Sequence, residues 1–402
     1  MPHRIIVLGA GYAGAVAAGR LAKRLRRDDV TITLVNAEPD FVERVRMHEL
    51  ATGRNLRPRP FSEMFAGTGV ELRCATVTGV DVDRKTVAVA GANGTDELGY
   101  DTLVYALGSH WHTHGVPGAA AHAFEIAGRP GALRLRERLA RLDAGQTVAV
   151  VGAGLTGLEA ASEIAETRPD LDVTLIARGE LGDWLSPKGR GHLRTVFGKL
   201  RITVREQAAV TAVEAGRVVT ADGAAIPAAV TVWTTGFQVH PIAQETTLEL
   251  NGTGQIVVDR TMRSVSHPDV YAVGDAAMAM GPGNKPLRMS CASGVPTAWQ
   301  AADAIAARLT GAKIPHTPIR YVNQCISLGR SNGLIQYVSA DDRAVPTVLT
   351  GRLAALYKEL VCKGAAWGVA HPTLGLPARR RRVLSGGSRD AAATAGVSQQ
   401  TL

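Results

Sequence analysis

Glycine falls at the spacing G-x-G-x-x-G twice in this 402-residue chain. Gly9, Gly11 and Gly14 stand in "RIIVLGAGYAGAVAAGRLAKRL", and Gly152, Gly154 and Gly157 in "QTVAVVGAGLTGLEAASEIAE". The spacing suits phosphate chemistry. The first glycine permits a tight turn, the second lets a pyrophosphate approach the backbone, and the third lets a helix pack closely on its strand. Free N–H groups at the start of that helix, with its macrodipole, then favour negative charge. One copy is weak evidence; two copies, each framed by strand and helix, predict two dinucleotide sites.

The ends of the second strands qualify this reading. An acid there normally holds ribose hydroxyls. The first unit has Asn36, with Glu38 two residues on, and Asn still hydrogen-bonds a 2′-hydroxyl. The second, "TLIARGE", has Ala177 followed by Arg178. A carboxylate would repel a 2′-phosphate; alanine removes the repulsion and arginine offers a guanidinium fork. The expectation is a preference for NADPH over NADH.

These residues need elements to hold them. A strand is expected over Arg4–Leu8, a helix from Tyr12 towards Leu25, and a second strand from Val30 to about Val35. The other unit repeats the design with strand Thr147–Val151, a helix to about Ala165, and "DVTLIARGE". Three further runs end in small-residue turns: "YDTLVYALGS", "AVTVWTTGF" and "HPDVYAVGDAA". A last helix is expected from about Pro296 to Leu309.

Bulk properties are those of a globular protein with 46% hydrophobic and 20% charged residues. The net charge of +9 owes four units to Arg379–Arg382, in a Gly/Ser/Ala-rich tail read as a solvated, disordered segment. Contact of that tail with nucleic acid or acidic lipid is the disfavoured reading. Cys74, Cys291, Cys325 and Cys362 lie far apart with no C-x-x-C, which fits a reducing cytoplasm. "IIVLGAGYAGAVAAG" imitates a secretory signal, but its cleavage would destroy a nucleotide site. No span reaches 18 uninterrupted apolar residues, so no transmembrane segment is expected. His110, His112 and His114 alternate in a loop without carboxylate or cysteine partners, so no metal site is assigned. A homodimer is left open.

The order of the two fingerprints and three turns, over about Arg4 to Leu309, resembles the two-dinucleotide-binding-domain flavoproteins of the pyridine nucleotide-disulfide oxidoreductase superfamily. The resemblance implies an α/β fold of two Rossmann-like domains and a smaller α+β C-terminal interface domain. The FAD domain would be discontinuous, 1–119 and 241–310, with the NAD(P)H domain at 120–240, the C-terminal domain at 311–375 and the basic tail at 376–402. It implies FAD on the first unit and NADPH or NADH on the second. The cofactor-contacting set is Gly9, Gly11, Tyr12, Ala13, Gly14, Asn36, Ala37, Arg44, Val77, Ala106, Leu107, Gly108, Gly152, Gly154, Leu155, Thr156, Gly157, Arg178, Gly236, Gly274, Asp275 and Ala292. Asp275 would hold the FAD sugar-alcohol chain or pyrophosphate. The segment "ERVRMHEL" matches one that passes under the flavin, making Arg46 and His48 catalytic candidates. Glu159 matches a family glutamate near the nicotinamide.

No cysteine pair follows the first unit, as disulfide reductases require, and no cysteine lies between Cys74 and Cys291, as sulfide:quinone reductases require. The pattern looks most like type II NADH dehydrogenases and the apoptosis-inducing-factor and ferroptosis-suppressor group. Hydride would pass from NAD(P)H through flavin N5 to a quinone-like or other small electron acceptor, without a redox disulfide. One departure is "CASGVP", Cys291–Pro296, where membrane enzymes of the type show A-Q-x-A-x-Q. "RLAALYKELVCKGAAW" is only weakly amphipathic, so no membrane-binding helix is expected. Two alternatives remain: a flavin enzyme dedicated to one metabolite, and an NAD(P)H-sensing scaffold with little turnover.

Overall fold

The computed structural model describes residues 1–315, 318–373 and 380–384. Its first sheet has the strand order Val270–Ala272, Thr102–Tyr105, His3–Leu8, Val30–Asn36, Val70–Asp81, extended by the hairpin strands Thr86–Gly91 and Gly94–Gly99. The first five strands are parallel, with Ile5 opposite both Ile32 and Thr102. His3–Leu8 is buried along its last four residues. That is why it reads as an unbroken apolar run, as expected of a strand covered on both faces. The helices Tyr12–Arg24 and Cys291–Thr310 pack together over this sheet through small residues, including Ala15, Ala18, Ala298 and Ala302.

The chain order reverses at His3–Leu8, which has Val30–Asn36 on one side and Thr102–Tyr105 on the other. A crevice opens beyond the C-terminal ends of such strands. The second sheet, Thr203–Arg205, Asp172–Ile176, Thr147–Val151, Val230–Trp233, Ala123–Glu125, is wholly parallel and reverses in the same way at Thr147–Val151. The fold is therefore two Rossmann-like α/β units. Ser109–Trp111 and Phe237–Val239, where the chain enters and leaves the second unit, pair antiparallel. The three strands Asn323–Ser327, Gly333–Val338 and Ala344–Thr350 then form an antiparallel sheet, covered by the terminal helix Gly351–Ala370. Gly333 has no room for a Cβ because the Ala354–Ala355 backbone passes over it.

Three local expectations need correction. The helix placed from Pro296 begins at Cys291, with Pro296 inside it. Pro296 is the sixth residue of that helix, so it removes a single backbone hydrogen bond, that to the Ala292 carbonyl. The terminal helix continues to Ala370. Part of the basic tail is also ordered: Arg381 bridges Leu25, its N–H donating to the Arg24 carbonyl at 2.9 Å while Arg26 N–H donates to the Arg381 carbonyl at 3.1 Å. The unpaired backbone after the first helix accepts this short strand. Arg379 and residues 385–402 lie outside the described residues.

Candidate functional site

Three helices begin at one cleft of about 1380 Å³. Gly11 caps Tyr12–Arg24, Gly154 caps Leu155–Thr167 and Ser290 caps Cys291–Thr310; none of the three makes a side-chain capping bond. Their first N–H groups are thus left for a ligand. Nothing stands within 4 Å of a Cβ built on Gly11 or Gly154, so the backbone is open at both caps. The other fingerprint glycines pack inward. A Cβ on Gly14 would strike the Gly9 carbonyl, and one on Gly157 the Gly152 carbonyl. Gly9, at φ +87°, lies so close to Ala106 that a Cβ would meet its carbonyl oxygen at 2.5 Å. Two dinucleotides fit this architecture: each loop presents uncapped donors on an open backbone.

Around the first loop the cleft is lined by Gly11, Tyr12, Ala13, Arg44, Ala106, Gly108, Gly274, Asp275 and Ala292. Asp275 accepts a hydrogen bond from Ser109 Oγ at 2.6 Å and lies 4.0 Å from Arg44. Arg44 reaches across to the second unit, donating to the Ala127 carbonyl at 2.9 Å and lying over the Phe237 ring. Gly274 N–H donates to Thr297 Oγ1, which ties this turn to the helix behind it. Around the second loop the lining is Gly152, Gly154, Leu155, Thr156, Arg178 and Gly236. Ala177 is buried beside Arg178 and contributes no lining.

Four expected contacts are placed elsewhere. Asn36 Oδ1 accepts from Ala10 N–H at 2.9 Å, and its Nδ2 donates to the Glu38 carbonyl. It braces the glycine loop instead of lining the cleft. Ala37 and Leu107 line no part of the cleft, and Ala37 holds the Cys74 thiol by its carbonyl. Val77 is a core residue of the long strand. Arg46 is also displaced. It is buried in a cage of Glu43 at 3.3 Å, Glu49 at 3.1 Å and Glu359 at 2.8 Å, which pins its short helical turn to the terminal helix. Arg54, Arg59 and Lys363 share these carboxylates, so Arg46 is held in an ion-pair network and lines no part of the cleft.

The floor of the cleft carries an ion pair that sequence spacing could not reveal. Glu159 Oε1 accepts from Lys358 Nζ at 2.9 Å and from Ser327 N–H at 3.0 Å. His48 Nδ1 lies 3.9 Å from Oε2, and His48 Nε2 is buried without a partner. Burial alone would raise the Glu159 carboxyl and lower the Lys358 ammonium. Their mutual attraction reverses both, leaving Glu159 below its ordinary value and Lys358 above. Lys358 is therefore a fixed cation facing the cleft. Three of the four free cysteines, Cys291, Cys325 and Cys362, also line it. Burial pushes the Cys325 and Cys362 thiols up to about 11. The loop histidines pack where the chain crosses between the two units: His110 stacks on His240 with centroids 4.8 Å apart, and His114 Nε2 lies 3.0 Å from the Thr235 carbonyl.

With two such loops on one cleft, residues 3–306 match the family described as pyridine nucleotide-disulphide oxidoreductase. The chain belongs to that family. It is similar to the NADH dehydrogenase-like protein Rv1812c of Mycobacterium tuberculosis, at 30% identity over 73% of this chain and 77% of that protein. It is also similar to the demethylphylloquinone reductase NdbB of Synechocystis, at 26% identity over 88% of this chain and 92% of that protein. Among solved structures, the sulfide:quinone oxidoreductase of Aquifex aeolicus superposes with a TM-score of 0.78 at 20% identity, over 93% of each chain. An engineered water-forming NADPH oxidase bound to NADPH, a mutant of the Lactobacillus brevis NADH oxidase, gives 0.70 at 19% identity, over 83% of this chain and 75% of that one. The protein is thus an oxidoreductase of the NAD(P)H dehydrogenase type.

Proposed function

We propose that the chain is an FAD-dependent NADPH dehydrogenase that reduces a quinone-like small acceptor. The observation that carries this reading is the convergence of three uncapped helix starts on one cleft floored by the Glu159–Lys358 pair. FAD, on the Gly9–Gly14 loop, would supply the two-electron chemistry, taking hydride from the nicotinamide at N5 and passing electrons on.

The chain's own residues do the rest. Tyr12, Ala13 and Ala292 would place the flavin by backbone donors, and Asp275 would accept from its hydroxyls. Leu155 and Thr156 would hold the second pyrophosphate. Arg178, lining the cleft where a ribose acid is absent, would hold a 2′-phosphate. The engineered NADPH oxidase supports this, because its substitutions include alanine for aspartate followed directly by arginine for alanine. Lys358 would face the acceptor and stabilise negative charge on its oxygen as electrons arrive, and Glu159 would orient it. The thiols favour a quinone over a sulfur acceptor, since Cys325 and Cys362 stay protonated near neutral pH and are poor nucleophiles.

Purified protein should carry flavin absorption that NADPH bleaches faster than NADH. A charge-assisted contact of about 1.5–3 kcal/mol sets the expected change. Arg178→Ala should therefore weaken NADPH binding about 10–150-fold and leave NADH within about threefold. Wild type preferring NADH by about tenfold would remove the 2′-phosphate reading, and protein without flavin would remove the whole.

A further inference from the structure

Two histidine nitrogens meet where the chain enters the second unit. His112 Nδ1 and His114 Nδ1 are 3.3 Å apart, with the rings edge to face and their centroids 4.7 Å apart. Both residues follow Ser109–Trp111, the strand that pairs antiparallel with Phe237–Val239. His110, the other histidine of the alternating run, is engaged separately, by its stacking on His240.

Hydrogen bonds fix which nitrogen of each ring carries a lone pair. His114 Nε2 lies 3.0 Å from the Thr235 carbonyl, which can only accept, so the ring proton sits on Nε2 and Nδ1 is bare. The His114 backbone N–H is directed at His112 Nδ1 at 3.3 Å, so that nitrogen is bare as well. Two lone pairs therefore face each other, an arrangement that a bound cation relieves. The surroundings hold it in place. His114 has a left-handed backbone, φ +53°, which few residues other than glycine adopt. Trp233 Nε1 donates to the His112 carbonyl at 2.9 Å. A Cβ on Gly236 would come within 2.8 Å of His114 Nε2, so glycine there leaves room for the ring.

We propose that this pair binds zinc(II). Two Zn–N bonds of about 2.0–2.1 Å at the tetrahedral angle set the nitrogens about 3.3–3.4 Å apart. That is the separation between His112 Nδ1 and His114 Nδ1. A right angle at the same bond lengths, as in square-planar copper(II), would need about 2.8–3.0 Å. His114 also has the support that metal-bound imidazoles have, its other N–H given to a backbone carbonyl. The long contact from the His114 N–H gives way to the ion, and that exposed residue meets water instead. Among the described residues no third histidine, cysteine or carboxylate joins the pair, so water completes the coordination. His114 lines the cleft with Thr234, Thr235 and Gly236, so the ion borders the half that holds the second fingerprint. The inference goes beyond the proposed reaction, because two imidazoles bind zinc whichever nucleotide or acceptor the protein uses.

The test is calorimetric titration of the tag-free, full-length protein with zinc chloride, beside mass-spectrometric mapping of histidines modified by diethyl pyrocarbonate with and without zinc. Zinc should protect His112 and His114 and leave the exposed His122 reactive. Removing a group that only orients a ligand costs about 10–100-fold in affinity, so His112→Gln and His114→Gln should each weaken zinc binding by at least about tenfold. His110→Gln should bind like wild type. Unchanged thermal unfolding without zinc shows that each variant is folded, and neither readout uses flavin, NADPH or an acceptor, so a wrong reading of the reaction leaves the test intact. Equal zinc binding by wild type and both variants puts the ion elsewhere and overturns the proposal. So does modification of His112 and His114 at an unchanged rate in zinc, which leaves the pair sharing only a proton.

Discussion

Replacing Glu159 by Gln removes one charge at nearly constant volume, which isolates the electrostatics of the cleft floor. At the 2.9 Å separation from Lys358, an effective dielectric constant of about 20 gives an attraction of about 6 kcal/mol. Breaking one side of a buried pair costs about 3–5 kcal/mol in practice. At about 1.4 kcal/mol per unit, that lowers the Lys358 pKa by about 2–4 units. Burial, no longer opposed, acts in the same direction. Lys358 then titrates nearer the alkaline end of the working range, and its positive charge is lost as pH rises through the lowered value.

The expected result in stopped flow is a split between half-reactions. Flavin reduction by NADPH should stay within about threefold of wild type, while reoxidation by a soluble quinone should slow as pH rises through the lowered Lys358 value, by about tenfold per pH unit beyond it. Reoxidation by Glu159→Gln should recover as pH falls, whereas wild type stays flat between about pH 6 and 9. Stability gives a second sign. The Glu159 carboxyl is held below its ordinary 4.5, so its contribution is present above that value and disappears as pH falls through the lower folded one. The variant should lack this acid limb. A variant that reoxidises at the wild-type rate with a flat pH profile refutes the role assigned to the pair.

The other predictions concern the loops, the cage and the thiols. Gly14→Ala should purify without flavin absorption, while Gly157→Ala keeps its flavin and loses tight NADPH binding, because each Cβ strikes the carbonyl of its own loop and none of the other loop's atoms. Arg46→Met should lower stability by about 3 kcal/mol, read from the urea midpoint, with quinone reduction per bound flavin within about threefold. Loss of turnover at unchanged stability would return Arg46 to the reaction. Iodoacetamide mapping near pH 8 should modify the exposed Cys74 well before Cys325 and Cys362, whose thiols at about 11 are about one part in a thousand ionised. Rapid labelling of the latter two in the folded protein would reopen a sulfur acceptor.

What the sequence determined by itself is local. The glycine spacings, the strands before them and the helices after them follow from backbone sterics within a few residues, so the two units and their phosphate loops were readable directly. The Ala177-Arg178 dipeptide was readable for the same reason, being a substitution at one defined strand end. Contacts between distant segments were not. Glu159 meets Lys358, and Cys291 joins Cys325 and Cys362, only because the crossovers bring the second unit, the helix after Asp275 and the terminal helix to one crevice. Arg46 looked available because its three acids were not visible together; Glu359 arrives from the far end of the chain. The histidine pair was hidden in a run of three, because alternation does not say which two ring nitrogens converge. Their convergence depends on the Thr235 carbonyl, brought beside the loop by the second sheet, and that choice belongs to the tertiary structure alone.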